Sequence, residues 1–311
     1  MQIKSGSYAG TGIAQSITGV GFQPVAVFIK GSGATISVVC MASMGADQTK
    51  PITGSSALFA GGVTSLDADG FTVGTDSRVN AAATTNYWIA FGDNGVPDLH
   101  QSSYVGDGGN DRSITGSGFQ PDQVFTGSAT TAGGLIWRAS SMGADASQGF
   151  AQALTADQIQ AMEADGFQVG TSSSANANLV TYHYLCLKDV ANLVKTLSYT
   201  GNGADGRSLA DMTFQPDNVI TKSATNTNGG RIRFKDQVGD LTFPFSGAAA
   251  AANNIQALEA DGFQVGTAAN VNENTIVFHT LRLKDGTSSA AASGLLLPRV
   301  KTQAVHRAAY W

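Results

Sequence analysis

The most polar short stretch of the sequence, GDGGNDRS at residues 106–113, carries side chains that could bind a metal ion. Asp107 and Asp111 offer carboxylate oxygens of the kind that calcium prefers, but the ligand spacing of a calcium loop and its closing glutamate are absent. A related stretch, GNGADGRS, begins at residue 201. We predict polar turns in which the arginine of each stretch pairs with a nearby acid, with a calcium site as the alternative.

Two histidines are the other side chains that could act in catalysis or hold a metal. His183 and His279 lie at matched positions of a repeat, where another copy of the repeat has Tyr87. A tyrosine does not replace a zinc-ligating imidazole, but either ring can sit at the edge of a core with one polar atom hydrogen-bonded. No Ser–His–Asp set, carboxylate pair, metal-spaced His/Cys cluster or phosphate-binding glycine loop recurs. We predict a protein that is not an enzyme and binds no metal or cofactor.

Three phrases recur in the same order along the chain, and they predict three units. Each unit opens with SYAG, SYVG or SYTG, continues with GFQP or TFQP, and later contains ADGFTVGT or ADGFQVGT. Asp93, Asp189 and Asp285 end the last apolar strand of each unit at a constant interval of 96 residues. The predicted units and the remaining C-terminal arm span residues 1–98, 99–194, 195–285 and 286–311.

The phrase ADGFxVGT has the properties of scaffold. Asp-Gly is a preferred filling of a two-residue hairpin turn, because both turn positions need positive φ. After the turn, Phe and Val alternate with polar residues and therefore face the same way. The phrase predicts a hairpin whose apolar side packs on a core, and no ligand site.

The last strand of each unit predicts how two sheets pack. Ile89 and Phe91 share one apolar face, which we expect to pack against a second sheet, and Trp88 lies on the opposite, outward face. Tyr184 occupies the position of Trp88 in the second unit. With seven or eight short strands in each unit and no convincing long helix, we predict an all-β fold of three tandem antiparallel β-sandwiches, jelly-roll-like, followed by an extended arm.

Composition excludes several classes of partner. The net charge of −5 gives no reason to bind nucleic acid. No stretch approaches the roughly 18 consecutive apolar residues of a membrane span, and the first residues do not resemble a signal peptide. Synthesis in the cytoplasm without export is expected. Cys40 and Cys186 lie at non-equivalent positions, so we predict free thiols, with one bond between units as the alternative.

The arm departs from the repeat pattern. It has a spacer of Gly, Ser and Ala, then a three-leucine cluster, basic residues and a terminal aromatic pair, and no acid from Gly286 onward. Apolar clusters of this kind are rarely left in water, so we predict that the arm docks against the body or another subunit. The candidate docking residues are Leu295, Leu296, Leu297, Arg299, Lys301, Arg307, Tyr310 and Trp311.

The phrases GFQPDQV, ending at Val124, and DGFTVGTDSRVN, at residues 69–80, resemble repeats of many phage tail and virion proteins, which carry concanavalin-A-like or jelly-roll sandwiches. The resemblance covers nearly all of the chain except the arm. Val25 replaces the aspartate after FQP in the first unit, and the third unit has TFQPD in place of GFQPD. Similar repeats also occur in large bacterial surface proteins. The family pattern implies no catalytic residues.

The resemblance implies a non-enzymatic structural component of a tailed-phage virion, assembled in the host cytoplasm. Head decoration or fibre and tail or baseplate are its two placements. Other virion proteins are the expected partners, and further copies of the same chain are included among them. Three similar units also suit a local three-fold position of the particle. The alternative is a carbohydrate-binding adhesion module for a host surface glycan, with Trp88 and Tyr184 as the exposed aromatic residues, although packing between repeats or subunits is the simpler role for both.

Overall fold

The structure is a computed structural model that describes residues 1–130, 133–225 and 229–289, and regular structure in these ranges is nearly all β-strand. The α-helices are three short turns of four residues each. Strands pair antiparallel throughout, and the sheets form three sandwich-like groups along the chain. The predicted all-β fold of tandem antiparallel sandwiches is therefore confirmed.

Each unit contains the same eight strands and one short helix in the same order. The first unit contains β1 (Gln2–Ala9), β2 (Gln15–Thr18), β3 (Ala26–Gly31), β4 (Val38–Met41), β5 (Lys50–Pro51), β6 (Val63–Asp67), β7 (Gly70–Val73), α1 (Ser77–Asn80) and β8 (Thr85–Gly92). The second unit contains β9 (Leu99–Val105), β10 (Arg112–Thr115), β11 (Gln123–Ser128), β12 (Ile136–Ala139), β13 (Gln148–Gly149), β14 (Ile159–Glu163), β15 (Gly166–Val169), α2 (Ser173–Asn176) and β16 (Thr181–Leu187). The third unit contains β17 (Val194–Thr200), β18 (Arg207–Leu209), β19 (Asn218–Ser223), β20 (Arg231–Phe234), β21 (Phe243–Pro244), β22 (Ile255–Glu259), β23 (Gly262–Val265), α3 (Ala269–Asn272) and β24 (Val277–Leu283), and β25 (Gly286–Thr287) follows.

Each unit has a large sheet and a small sheet. The large sheets have the strand orders β1-β8-β3-β4-β5, β9-β16-β11-β12-β13 and β17-β24-β19-β20-β21. The small sheets have the orders β2-β7-β6, β10-β15-β14 and β18-β23-β22. Apolar side chains from the two sheets of one unit meet in a core of its own, such as Phe71, Val73 and Trp88 in the first unit.

The large sheets are buried on both faces. Their second faces, with Phe28, Phe125 and Ile220 among others, meet in one central core to which all three units contribute. Every residue of β3, β11 and β19 is buried. The short apolar run Ala26–Ile29 in β3 is typical of a strand covered on both sides, whereas β11 has only Val124 and Phe125 in sequence.

Equivalent hydrogen bonds connect the large sheets in a closed cycle. In each case the residue before the fourth strand of one unit donates its backbone N–H to the residue after the fifth strand of another unit. The bonds are Leu135 N to Ile52 O at 2.9 Å, Gly230 N to Phe150 O at 2.6 Å, and Ser37 N to Phe245 O at 2.9 Å. The three units therefore form a single ring with approximate three-fold symmetry.

Two of the three closing aspartates, Asp189 and Asp285, connect neighbouring units of the ring, whereas Asp93 accepts from the N–H of Gly95 in its own loop. Asp189 Oδ1 accepts hydrogen bonds from the N–H and the hydroxyl of Thr196, at 2.8 and 2.7 Å. Asp285 Oδ1 accepts one from Ser5, at 2.8 Å. β25 also pairs with the start of β1, with Thr287 opposite Gln2. The end of the third unit thus lies against the first strand of the chain.

The face prediction for the last strand is wrong. Ile89 and Phe91 face the central core, whereas Trp88 points into the core of its own sandwich. The same reversal holds for Leu185 against Tyr184 in the second unit. Alternation separates the two faces of a strand but does not say which neighbour covers each face, and here both faces are covered.

The predicted hairpin is present, but its two-residue turn lies one residue earlier than the predicted Asp-Gly pair. The turn residues in the first unit are Ala68 and Asp69, and Gly70 is already the first residue of β7, opposite Asp67. Gly70 has φ of 141°, and a Cβ there would lie 2.0 Å from the carbonyl oxygen of Ile17. Glycine is therefore needed for the close approach of β7 to β2.

Candidate functional site

The polar stretch at 106–113 forms a hydrogen-bonded turn. Asp107 Oδ1 accepts from the N–H of Gly109 at 2.8 Å and from the amide of Asn176 at 3.1 Å. Arg112 Nε lies 3.4 Å from Asp107 Oδ2, as predicted, whereas Arg207 donates to the carbonyl oxygen of Thr200 at 2.6 Å. No group of three or more His, Cys, Asp or Glu side chains in the described ranges could hold a metal ion.

Both predicted histidines are buried and hydrogen-bonded across the contact between two units. His183 Nδ1 lies 2.9 Å from Ser43 Oγ, and His279 Nδ1 lies 2.9 Å from Ser141 Oγ. Ser43 and Ser141 occupy equivalent positions in neighbouring units. At the third contact Tyr87 stacks on Phe234, with ring centroids 5.3 Å apart.

These Ser–His pairs are not surrounded by the charges of a catalytic pair. Burial lowers the pKa of His183, and the positive charge of Lys50 lowers it further. Burial lowers the pKa of His279 to about 4, and Lys222 and Arg138 act in the same direction. In a Ser–His–Asp triad a carboxylate stabilises the charged imidazole, whereas the charges acting on His183 and His279 oppose the charged form. The geometry favours a structural role where the units meet.

Three lysine side chains are also buried near these contacts. Lys30 donates to the carbonyl oxygen of Ser246 and Lys50 to that of Thr130, each at 3.0 Å, and both bonds join different units. Lys222 lies opposite His279 in the sheet and donates to the carbonyl oxygen of Ser223 at 2.8 Å. Burial lowers the pKa of each of the three lysines to about 8.

The two cysteines are free and buried, as predicted for free thiols. Cys40 lies in the core of the first unit and Cys186 in the core of the second. Burial raises the pKa of the Cys40 thiol to about 12 and raises that of Cys186 as well. Neither thiol has the lowered pKa that a nucleophilic cysteine requires.

Trp88 and Tyr184 do not form the exposed platform expected of a glycan site. Trp88 is 5% exposed and packs edge-on against Phe71. Tyr184 is 4% exposed, and its ring packs against Phe167, with centroids 5.1 Å apart. A sugar ring cannot stack on a face already covered by protein, so the expected exposure is wrong for both residues.

The predicted docking residues of the arm lie outside the described residues. These are Leu295, Leu296, Leu297, Arg299, Lys301, Arg307, Tyr310 and Trp311. The described chain ends at Ser289, and Ser288 donates its N–H to the carbonyl oxygen of Met1 at 2.8 Å. The arm therefore leaves the described part of the chain beside the start of β1.

Grooves open between the sheets in each unit, and the one in the third unit, of about 350 Å³, is lined by Arg233, Lys235 and Leu258. A groove of about 600 Å³ in the first unit is lined by Gln2, Cys40, Val63, Asp93 and their neighbours. Another groove, of about 440 Å³, lies in the second unit and is lined by His100, Arg112, Tyr184 and several Ser and Thr residues. Sequence reasoning missed all three. The signal for the groove of the first unit is the mismatch between Cys40 and the arginines at the same position in the other units.

Comparisons with protein-family models, with curated proteins and with solved structures gave no match to the chain. None of the helices in the described ranges has the length and apolar character needed to cross a bilayer.

Proposed function

We propose that the protein is a non-enzymatic structural component of a tailed-phage virion, either a head decoration or fibre protein or a tail or baseplate protein. It acts as a rigid body that docks to neighbouring virion proteins through its C-terminal arm. The chain is assembled into particles in the host cytoplasm. The proposal rests on the resemblance of the repeated phrases together with the architecture of the described chain.

The observation that carries the proposal is the closed ring of three units around one core. The residue directly after the fifth strand of each large sheet accepts a backbone hydrogen bond from the next unit, at Ile52, Phe150 and Phe245. A shared core, and backbone hydrogen bonds between the large sheets, suit a protein that must stay folded on the surface of a particle. A body with approximate three-fold symmetry also suits a local three-fold position of a larger assembly.

Quantitative mass spectrometry of purified particles from the phage whose genome encodes the chain tests this proposal. We expect the chain to remain with the particles through density-gradient purification. Hundreds of copies per particle would support head decoration, and three, six or twelve copies would support a tail or fibre component. Particles that lack the chain, while the host lysate contains it, would overturn the proposal.

A carbohydrate-binding adhesin is the second candidate, and the polar groove of the second unit favours it. Hydroxyls of Ser102, Ser113 and Thr115 line this groove beside Arg112 and His100, which is a suitable set of donors and acceptors for a sugar. Glycan-array binding by the full chain that is lost in Arg112→Ala and kept in Arg78→Ala would support this role. An array without any binding would remove it.

A further inference from the structure

Cys40 stands where the other two units have a buried arginine. Cys40 lies opposite Val27, Arg138 opposite Val124 and Arg233 opposite Val219, which are the same positions of the three large sheets. Arg138 and Arg233 are 5% and 6% exposed. The guanidinium therefore belongs to the sandwich in two units and is missing from the first.

The guanidinium groups join the two sheets through backbone carbonyls. Arg233 donates to the carbonyl oxygens of Gly239 at 2.7 Å, Leu241 at 2.6 Å and Ile255 at 3.1 Å. Arg138 donates to the carbonyl oxygens of Ala146 and Ile159. A planar group with several fixed donors suits such a set of acceptors.

The first unit has the matching backbone positions and a larger groove, of about 600 Å³ against about 350 Å³ for the equivalent groove beside Arg233. Ala46 and Val63, which match Gly239 and Ile255, line the groove of about 600 Å³ beside Cys40. Val25 replaces Asp122 and Asp217, and Ala42 replaces Lys235. The volume of the groove lies in the range of ligand sites, so it can take an arginine side chain together with neighbouring apolar groups.

The arm has the right chemistry and starts in the right place. Gln2 and Asp93 are part of the lining of the groove, and Gln2 pairs with Thr287 near the end of the described chain. Arg299 follows Ser289 by ten positions, a stretch that spans up to about 33 Å when extended. The segment from 290 to 311 contains no acid, and it carries Leu295, Leu296 and Leu297 just before Arg299.

We propose that the first-unit groove is the receptor of the arm of the same chain. Arg299 enters it and takes the place that Arg138 and Arg233 occupy in the other units. The three leucines cover the apolar lining formed by Pro24, Val25 and Leu66. Asp93 provides a negative charge in the lining of the groove. The part of the arm from Lys301 onward then remains available to a neighbouring protein.

Hydrogen exchange of the full-length chain, read by mass spectrometry on peptides that cover 295–301, tests the proposal. We expect these peptides to exchange at least tenfold faster in Arg299→Ala than in the parent chain. Cys40→Arg should produce the same acceleration, because its guanidinium would occupy the place proposed for Arg299 and leave a smaller groove, like the one of about 350 Å³ beside Arg233. Arg307→Ala and Cys40→Ser are the matched controls and should leave the exchange unchanged.

Two further measurements identify what occupies the groove. The parent chain can be tested with guanidinium chloride, far below the molar concentrations that unfold proteins, because the guanidinium ion should compete with the Arg299 side chain. It should accelerate exchange of 295–301 more than NaCl does at equal ionic strength. Protection of β7, β15 and β23 reports whether each variant is folded. The proposal is overturned if 295–301 exchanges like a free peptide in the parent chain. Protection that requires high protein concentration and a dimer mass would overturn the assignment to the same chain.

Discussion

The buried imidazoles of His183 and His279 each use Nδ1 to hydrogen-bond a serine, and the two serines occupy equivalent positions of neighbouring units. The sequence predicted for both histidines only a place at the edge of a core. That prediction is confirmed in its chemistry, because one ring nitrogen of His183 and of His279 is hydrogen-bonded. The partners could not be predicted, since Ser43 and Ser141 lie in other units. The pairs join surfaces that are about 140 residues apart in the chain.

His279 should make the protein sensitive to acid. Its folded-state pKa of about 4 lies below the usual value of 6.5, so the fold favours the neutral imidazole. The resulting stabilisation is present above pH 6.5 and is lost as the pH falls toward 4, with a total of about 2–3 kcal/mol. We expect His279→Gln, which can still bond Ser141, to reduce the loss of unfolding free energy between pH 7 and pH 4.5. Urea unfolding at both pH values measures the difference.

Lys188→Ala is a suitable control for this experiment, because it removes the positive charge of an exposed side chain that has no part in the Ser141 contact. Its loss of stability between the two pH values should equal that of the parent chain. An equally large loss in His279→Gln would show that other groups cause the acid sensitivity.

At the level of elements, the repeated phrase ADGFxVGT is explained by backbone contact. In the second unit Asp165 accepts hydrogen bonds from the N–H groups of Gly116 and Gly118, at 3.1 and 2.6 Å. It therefore fixes the loop after β10, in addition to standing in the hairpin turn. Gly166 follows with φ of 139°, and a Cβ there would lie 1.9 Å from the carbonyl oxygen of Ile114.

We expect Gly166→Ala to destabilise the protein by about 2–4 kcal/mol, because both the φ angle and the contact with backbone oppose a side chain. Gly143→Ala is the matched control, since nothing lies within 4 Å of a Cβ at Gly143. It should change the free energy of unfolding by less than about 1 kcal/mol. Denaturant titrations of both variants measure the effect. Equal free energies of unfolding for the two variants would mean that β10 moves away from residue 166 without loss of stability.

The all-β fold and the 96-residue repeat could be predicted from the sequence, because strand and turn patterns are local and the same phrases occur in each of the three units. The sheet that covers each face of the last strand could not be predicted. Ile89 and Trp88 alternate clearly, but both are apolar, so the pattern does not say which one meets the small sheet. The groove of the first unit was missed because the sequence aligns Cys40 with Arg138 and Arg233 but does not show that both arginines are buried and donate to backbone carbonyl oxygens.

At the scale of the whole molecule, the central core makes the three units one thermodynamic body. Phe150 of the second unit is 1% exposed and lies with its ring centroid 4.2 Å from that of Phe245 in the third unit. The large sheet of each unit would expose an extended apolar face if the unit were alone. Tandem repetition therefore did not produce three independent domains on a string, because each unit depends on the other two to cover that face.

We expect the chain to unfold in a single transition, and a cavity in the central core to weaken all three units together. Phe150→Ala removes a fully packed ring and should cost about 3–5 kcal/mol. Hydrogen exchange of β7, β15 and β23 should then accelerate by similar factors, although only β15 belongs to the altered unit. Val238→Ala, at a side chain that is 80% exposed, should leave all three unchanged. Acceleration confined to β15, or three separate unfolding transitions, would show that the units are held together only weakly and that the shared core does not couple them.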